Sequence, residues 1–196
     1  MAYGVWRMET RSHTRHEPYA IRAHQSTIDP AHPITMTPDP IHPATTIGHV
    51  HLKVADLDRA LAFYRDVLGF EETMRYGSGA VFLSAGGYHH HIGLNTWESA
   101  GGSPPPPGTT GLYHIAIRYP TRTALADALR RLAAARISLD GASDHGVGEA
   151  LYLRDPDQNG VELYWDRPRD AWPRTPEGGI AMFTRPLDVE ALLKEA

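Results

Sequence analysis

Three consecutive histidines, His89, His90 and His91, lie within Gly86–Trp97 ("GGYHHHIGLNTW"), at the head of a strand-like run. An imidazole can ligate a divalent metal or carry a proton near neutral pH. In an extended chain neighbouring side chains point to opposite faces, so at most two of the three can look into one space. His49 in "GHVHLKV" and His114 in "GLYHIAI" each stand near the start of another strand-like run, and Glu162 lies in the otherwise apolar "GVELYW". A carboxylate in such a strand is costly unless it is paired or bound to a cation. Taken singly, each of these residues reads as an ordinary half-buried histidine or an ion-paired glutamate. Taken together, two imidazoles and one carboxylate form the facial set that leaves coordination positions open on non-haem Fe(II).

What gives these residues equivalent positions is an internal repeat. "YHIAIRY" (Tyr113–Tyr119) overlies "GHVHLKV" (Gly48–Val54) without a gap at an offset of 65 residues, which pairs His114 with His49. The following helices match at the same offset, "TRTALADALRRL" over "DLDRALAFYRDV". Each copy begins with a period-2 strand, Ile47–Val54 and Tyr113–Tyr119, followed by a helix. In the first helix Asp56 is the expected N-cap, Leu57, Leu61, Tyr64 and Leu68 form the apolar face, and Gly69 is the stop. Strands are then expected near 72–76, 80–84 and 89–95 in the first copy, and near 137–139, 149–154 and 160–165 in the second. "RDPDQNG" forms the turn between the last two. Two such copies normally pack by a pseudo-twofold axis, so the last strands, with the histidine triplet in one copy and Glu162 in the other, are expected to converge with His49 and His114. His51 shares a face with His49 and is read as a supporting residue, because the second copy has only Ala116 there.

The flanks and composition bound the rest. The expected organisation is a disordered extension over 1–44, a paired βαβββ domain over 45–170, and a C-terminal extension over 171–196 with a short helix from about Asp188. Within the domain the units are 45–96 and 112–170, joined by a Pro/Gly-rich linker over 97–111 whose four consecutive prolines suit a lid or a spacer. Met36, just before the first patterned segment, raises the question of a mis-assigned start. The formal charge of -4, with no basic run, gives no footprint for nucleic acid or an anionic membrane surface, and no apolar stretch approaches a membrane span. The absence of cysteine excludes disulfides and thiolate metal sites. A cytoplasmic location is expected.

"GHVHLKVADLDRALAFYRDVLGF", "GLYHIAI" and "GEALYLRDPDQNG" resemble the vicinal oxygen chelate superfamily, which includes glyoxalases, bleomycin resistance proteins and extradiol catechol dioxygenases. The likeness spans residues 45–170, and the wording of "SAGGYHHHIGLNTW" is most similar to the catechol 2,3-dioxygenase-related branch. It implies an α+β fold with two βαβββ units in a cup-shaped mixed sheet around one metal. It also implies ring cleavage of a catechol-type aromatic diol by dioxygen, with His49, His114 and Glu162 holding Fe(II), or Mn(II) or another divalent metal in its place. By the same resemblance His90 is the catalytic acid/base, with His91 as the fallback. Tyr152, ten residues before Glu162, is expected to hydrogen-bond the substrate. His145 lies near a further substrate-binding histidine of those enzymes, but its spacing departs from theirs. Phe82, Trp97 and Tyr164 are candidate walls, and a second copy of the chain is a candidate partner. The alternatives are a glyoxalase-like isomerase or hydrolase and a protein that sequesters a small molecule.

Overall fold

Each repeat makes its own sheet. The structure, a computed structural model, describes residues 39–195. The first sheet contains β1 (Val50–Lys53), β2 (Glu71–Tyr76), β3 (Ala80–Ser84) and β4 (Ile92–Asn95) in the order β1-β4-β3-β2. The second contains β5 (Ile115–Tyr119), β6 (Gly141–Asp144), β7 (Gly148–Arg154), β8 (Gly160–Asp166) and β9 (Arg185–Pro186) in the order β5-β8-β7-β6-β9. The first and last strands of each repeat pair in parallel, and the other pairings are antiparallel. The paired βαβββ architecture expected from the sequence is therefore present, as two mixed sheets of four and five strands.

The first helix, α1 (Leu57–Leu61), is capped by the Asp56 carboxylate, which accepts the Arg59 N–H at 2.8 Å. It continues as a π-helical segment, Ala62–Val67, in which the Leu68 N–H reaches the Phe63 carbonyl. The wider i→i+5 winding narrows the angle between successive side chains. Phe63 and Tyr64, neighbours in sequence, are consequently both buried. The second helix, α2 (Arg122–Ala134), is capped by Thr121 and turns Leu125, Leu129 and Leu132 inward. In the tail, α3 (Val189–Leu193), capped by Asp188, sets the fully buried Leu192 into the same core, where such burial contributes about 1.5–3 kcal/mol. One contiguous apolar cluster joins both repeats, from Leu52 and Leu94 to Leu151 and Leu163.

Two expectations need correction. The strand expected near 137–139 lies at Gly141–Asp144 instead. Ile137 and Leu139 alternate because they pack on the core, but the Ile137 N–H still bonds back to the Leu132 carbonyl, and pairing with β7 starts only at Asp140. Likewise β4 begins at Ile92, so the three histidines precede the strand and do not alternate across it. The 97–111 segment contains no strand or helix, and its start is tied to the first repeat, with Ser99 Oγ donating to the Val54 carbonyl at 2.9 Å. Of the 1–44 extension, residues 1–38 lie outside the described residues. The described residues up to Thr45 belong to a unit separate from the rest and make a turn closed by the Thr45 N–H on the His42 carbonyl.

Candidate metal and diol site

Register builds the site on the second sheet. Glu162, central on β8, is flanked by Ala116 of β5 and Tyr152 of β7. Alternation puts Val161 and Leu163 on the core face and turns Glu162 the other way. His114 stands just before β5, where Gly160 permits a close crossing: a Cβ at Gly160 would overlap the Tyr113 carbonyl and stand 3.0 Å from His114 Cβ. His114 Nε2 comes to 3.0 Å from Glu162 Oε2. Gly160→Ala is therefore expected to destabilise the fold by about 1–3 kcal/mol through overpacking and to move His114 off the carboxylate. A thermal melt together with a divalent-metal titration would measure both effects.

The polar chain extends beyond the pair. The Tyr152 hydroxyl donates to Glu162 Oε1 at 3.0 Å, and His145 Nε2 lies 2.7 Å from the same hydroxyl. Burial first, and then the charge and hydrogen bond of Glu162, push the Tyr152 phenol well above its ordinary value. His114, Tyr152 and His145 border a cavity of about 420 Å³ whose walls include Tyr113, Ser143, Arg154 and Thr184. Sequence spacing left His145 without a clear role, yet the structure joins it to Tyr152. The missed signal was the hairpin tip: the His145 N–H bonds the Gly148 carbonyl, which turns the chain back so that β6 and β7 run side by side.

On the first sheet the repeat places different chemistry. His51 pairs with Gly93 as Ala116 pairs with Glu162, so the counterpart of Glu162 is Gly93, not the histidine triplet. The His51 ring covers that position: a Cβ on Gly93 would meet it at 2.9 Å. His51 also packs edge-on against Phe82 and Trp97, and burial followed by the charge of His49 lowers its pKa. His90 packs its ring on His49, 4.4 Å between centroids, and on Phe82, and its Nδ1 lies 2.7 Å from that of His89. Desolvation and then the neighbouring His49 depress its pKa. His91 turns away, with Nδ1 3.1 Å from Ser84 Oγ. Of the expected walls, Phe82 and Trp97 belong to this cluster, whereas Tyr164 lies on β8 two residues beyond Glu162.

The fit to a metal is partial. Two cis donors each about 2.1 Å from an ion stand about 3.0 Å apart, the separation between His114 Nε2 and Glu162 Oε2. The structure brings His49 to His90 rather than to this pair, and no group of three or more His, Cys, Asp or Glu side chains able to share an ion occurs among the described residues.

This pairing of repeats and polar sheet face belongs to a known class: the chain is a member of the glyoxalase/bleomycin resistance protein/dioxygenase superfamily, whose family model matches residues 46–163. Its relatives include the catechol-2,3-dioxygenase of Bacillus subtilis, 44% identical over 156 residues, which make up 80% of this chain and 54% of that one. Another is the manganese-dependent 2,3-dihydroxybiphenyl 1,2-dioxygenase of Geobacillus genomosp. 3, 28% identical over 67% of this chain and 39% of that one. The chain thus spans about half the length, or less, of these relatives. Among solved structures, a glyoxylase/bleomycin resistance protein/dioxygenase domain from Frankia is 28% identical with a TM-score of 0.53, covering 63% of this chain and 98% of its own. No helix among the described residues is long and apolar enough to cross a membrane.

Proposed function

We propose that the protein is a divalent-metal-dependent extradiol dioxygenase that opens the ring of a catechol-type diol. The observation that carries this reading is the connected chain His114, Glu162, Tyr152 and His145, in which His114, Tyr152 and His145 border one cavity. The names of its relatives supply the substrate class, and one of them supplies manganese as an alternative to iron. His114 and Glu162 would hold the metal, and His49, the repeat's equivalent of His114, would be the third donor only on leaving the His90 ring against which it packs. A bound Fe(II) or Mn(II) would supply the charge that favours the ionised diol and a route for electrons to dioxygen.

The chain's own residues do the remainder. Tyr152 orients the diol oxygens from the cavity wall. His90 takes a proton from the diol and returns it during ring opening, and His91 is the fallback for that step. His90 packs on His49, whereas His91 faces Ser84.

The test is anaerobic loading with Fe(II) or Mn(II), followed by addition of catechol at an oxygen electrode. Oxygen uptake with a yellow ring-opened product is expected. Absence of uptake across several catechols, with Zn- or Ni-supported isomerase or hydrolase activity instead, would establish the glyoxalase-like alternative. His114→Ala is expected to lose the metal. His90→Ala is expected to retain it and turn over about 10²–10⁴-fold more slowly. Equal metal loss in both variants would make His90 a ligand.

A further inference from the structure

The tail reaches the site from beyond the residues that the family model matches. The family match ends at residue 163, yet the Phe183 carbonyl lies 3.0 Å from His145 Nδ1, and Thr184 Oγ1 lies 3.3 Å from the same nitrogen. The backbone contact is reciprocal, because the Phe183 N–H also reaches the His145 carbonyl. Two residues further on, β9 pairs with β6 through Asp144–Arg185 and Ser143–Pro186. The Phe183 ring is held in turn: Arg185 stacks over it at 4.3 Å, and Gly146, at φ +77, leaves the space it fills.

From this geometry we propose that the C-terminal segment Phe183–Thr184 is a positioning element that fixes the tautomer of His145 and, through it, keeps the Tyr152 oxygen free to accept a hydrogen bond. A carbonyl oxygen can only accept, so His145 Nδ1 carries the hydrogen. In the neutral ring Nε2 is then an acceptor, facing the Tyr152 hydroxyl at 2.7 Å. One phenolic hydrogen stands between two acceptors, this nitrogen and Glu162 Oε1 at 3.0 Å. Because Nε2 carries no hydrogen it cannot donate to the phenol, and whichever of the two acceptors takes the phenolic hydrogen, the oxygen keeps its lone pairs for a hydroxyl donor in the cavity. The tail thus sets Tyr152 as an acceptor for a ligand hydroxyl. The consequence for turnover rests on the diol-cleaving reading; the tautomer does not.

The experiment is nitrogen-15 NMR of the full chain without added metal, with the His145 signals assigned by their disappearance in His145→Asn. Wild-type protein is expected to show a protonated Nδ1 and an unprotonated Nε2. Gly146→Ala, whose Cβ would stand 2.6 Å from the Phe183 ring, is expected to displace the tail and give mixed tautomers. Phe183→Ala, which removes the ring without crowding Gly146, is a second probe and is expected to shift the same signals in the same direction. For catechol turnover, both variants are expected to raise KM up to about tenfold, the scale of one lost hydrogen bond, with kcat changed less. A wild-type ring protonated mainly on Nε2, or tautomers unchanged in both variants, overturns the proposal. Absence of catechol turnover together with the expected tautomer would count against the diol-cleaving reading alone.

Discussion

Glu162→Ala is expected to abolish metal retention and ring cleavage while leaving the fold in place. Glu162 touches both partners of the site, His114 through Oε2 and Tyr152 through Oε1, with only 15% of its side chain exposed. Loss of a group that merely supports a metal ligand costs about 10–100-fold in affinity, so loss of a ligand should exceed about 100-fold. Metal content after gel filtration and a calorimetric titration with Mn(II) would read this. Glu162→Gln separates charge from shape, because the amide oxygen still accepts from Tyr152. The Tyr152 phenol, raised by burial and by the Glu162 charge, should then fall back toward its ordinary 10.0 by the charge contribution and keep the burial contribution. A spectrophotometric titration would show the fall. Undiminished metal retention in both variants would remove Glu162 from the site.

The repeat was legible because strand alternation and the 65-residue offset are local patterns. His114, His49 and Glu162 follow from those patterns, whereas Tyr152, which faces Glu162 across the β7–β8 pair, follows from the family resemblance. Other features depend on contacts that no spacing records. The symmetry argument matched the histidine triplet to Glu162, but the equivalent position is Gly93, under the His51 ring, and a glycine carries no signal of what covers it. An apolar run after three histidines has the pattern of one strand, whereas Gly86 and Gly87, at φ +65 and +77, turn the chain before β4 begins. His145 was obscured for a related reason: its partners include a backbone carbonyl 38 residues away, which has no sequence signature. Sequence symmetry likewise could not say that His49 would sit against His90 instead of meeting His114 and Glu162.

The turn "RDPDQNG" shows how much energy one such hidden contact carries, and Asp155→Ala is expected to be the most destabilising single change. Asp155, 2% exposed, accepts the N–H groups of Asp157 and Asn159 on Oδ1, and the Asn159 amide and the Tyr64 hydroxyl, each at 2.9 Å, on Oδ2. The turn belongs to the second repeat and Tyr64 to the first. Asp157 adds a second tie, accepting the Ala55 N–H at 3.0 Å and an Arg59 N–H at 2.5 Å. Burial and the adjacent Asp155 hold the Tyr64 phenol well above its usual range, so it remains a donor throughout the working pH range. Removing the carboxylate leaves several buried donors without a partner, at about 1–3 kcal/mol each. A loss of about 3–5 kcal/mol follows, or roughly 10 °C in Tm for a domain of this size. Tyr64→Phe deletes one donor of four and should cost only about 1 kcal/mol. In the Asp155→Ala background the same substitution should cost almost nothing, because the bond is already gone. Additive losses in that double-mutant cycle would show that Tyr64 is held by packing alone. The same turn joins β7, which carries Tyr152, to β8, which carries Glu162. Asp155→Ala should therefore also weaken metal binding, although residue 155 touches none of the donors.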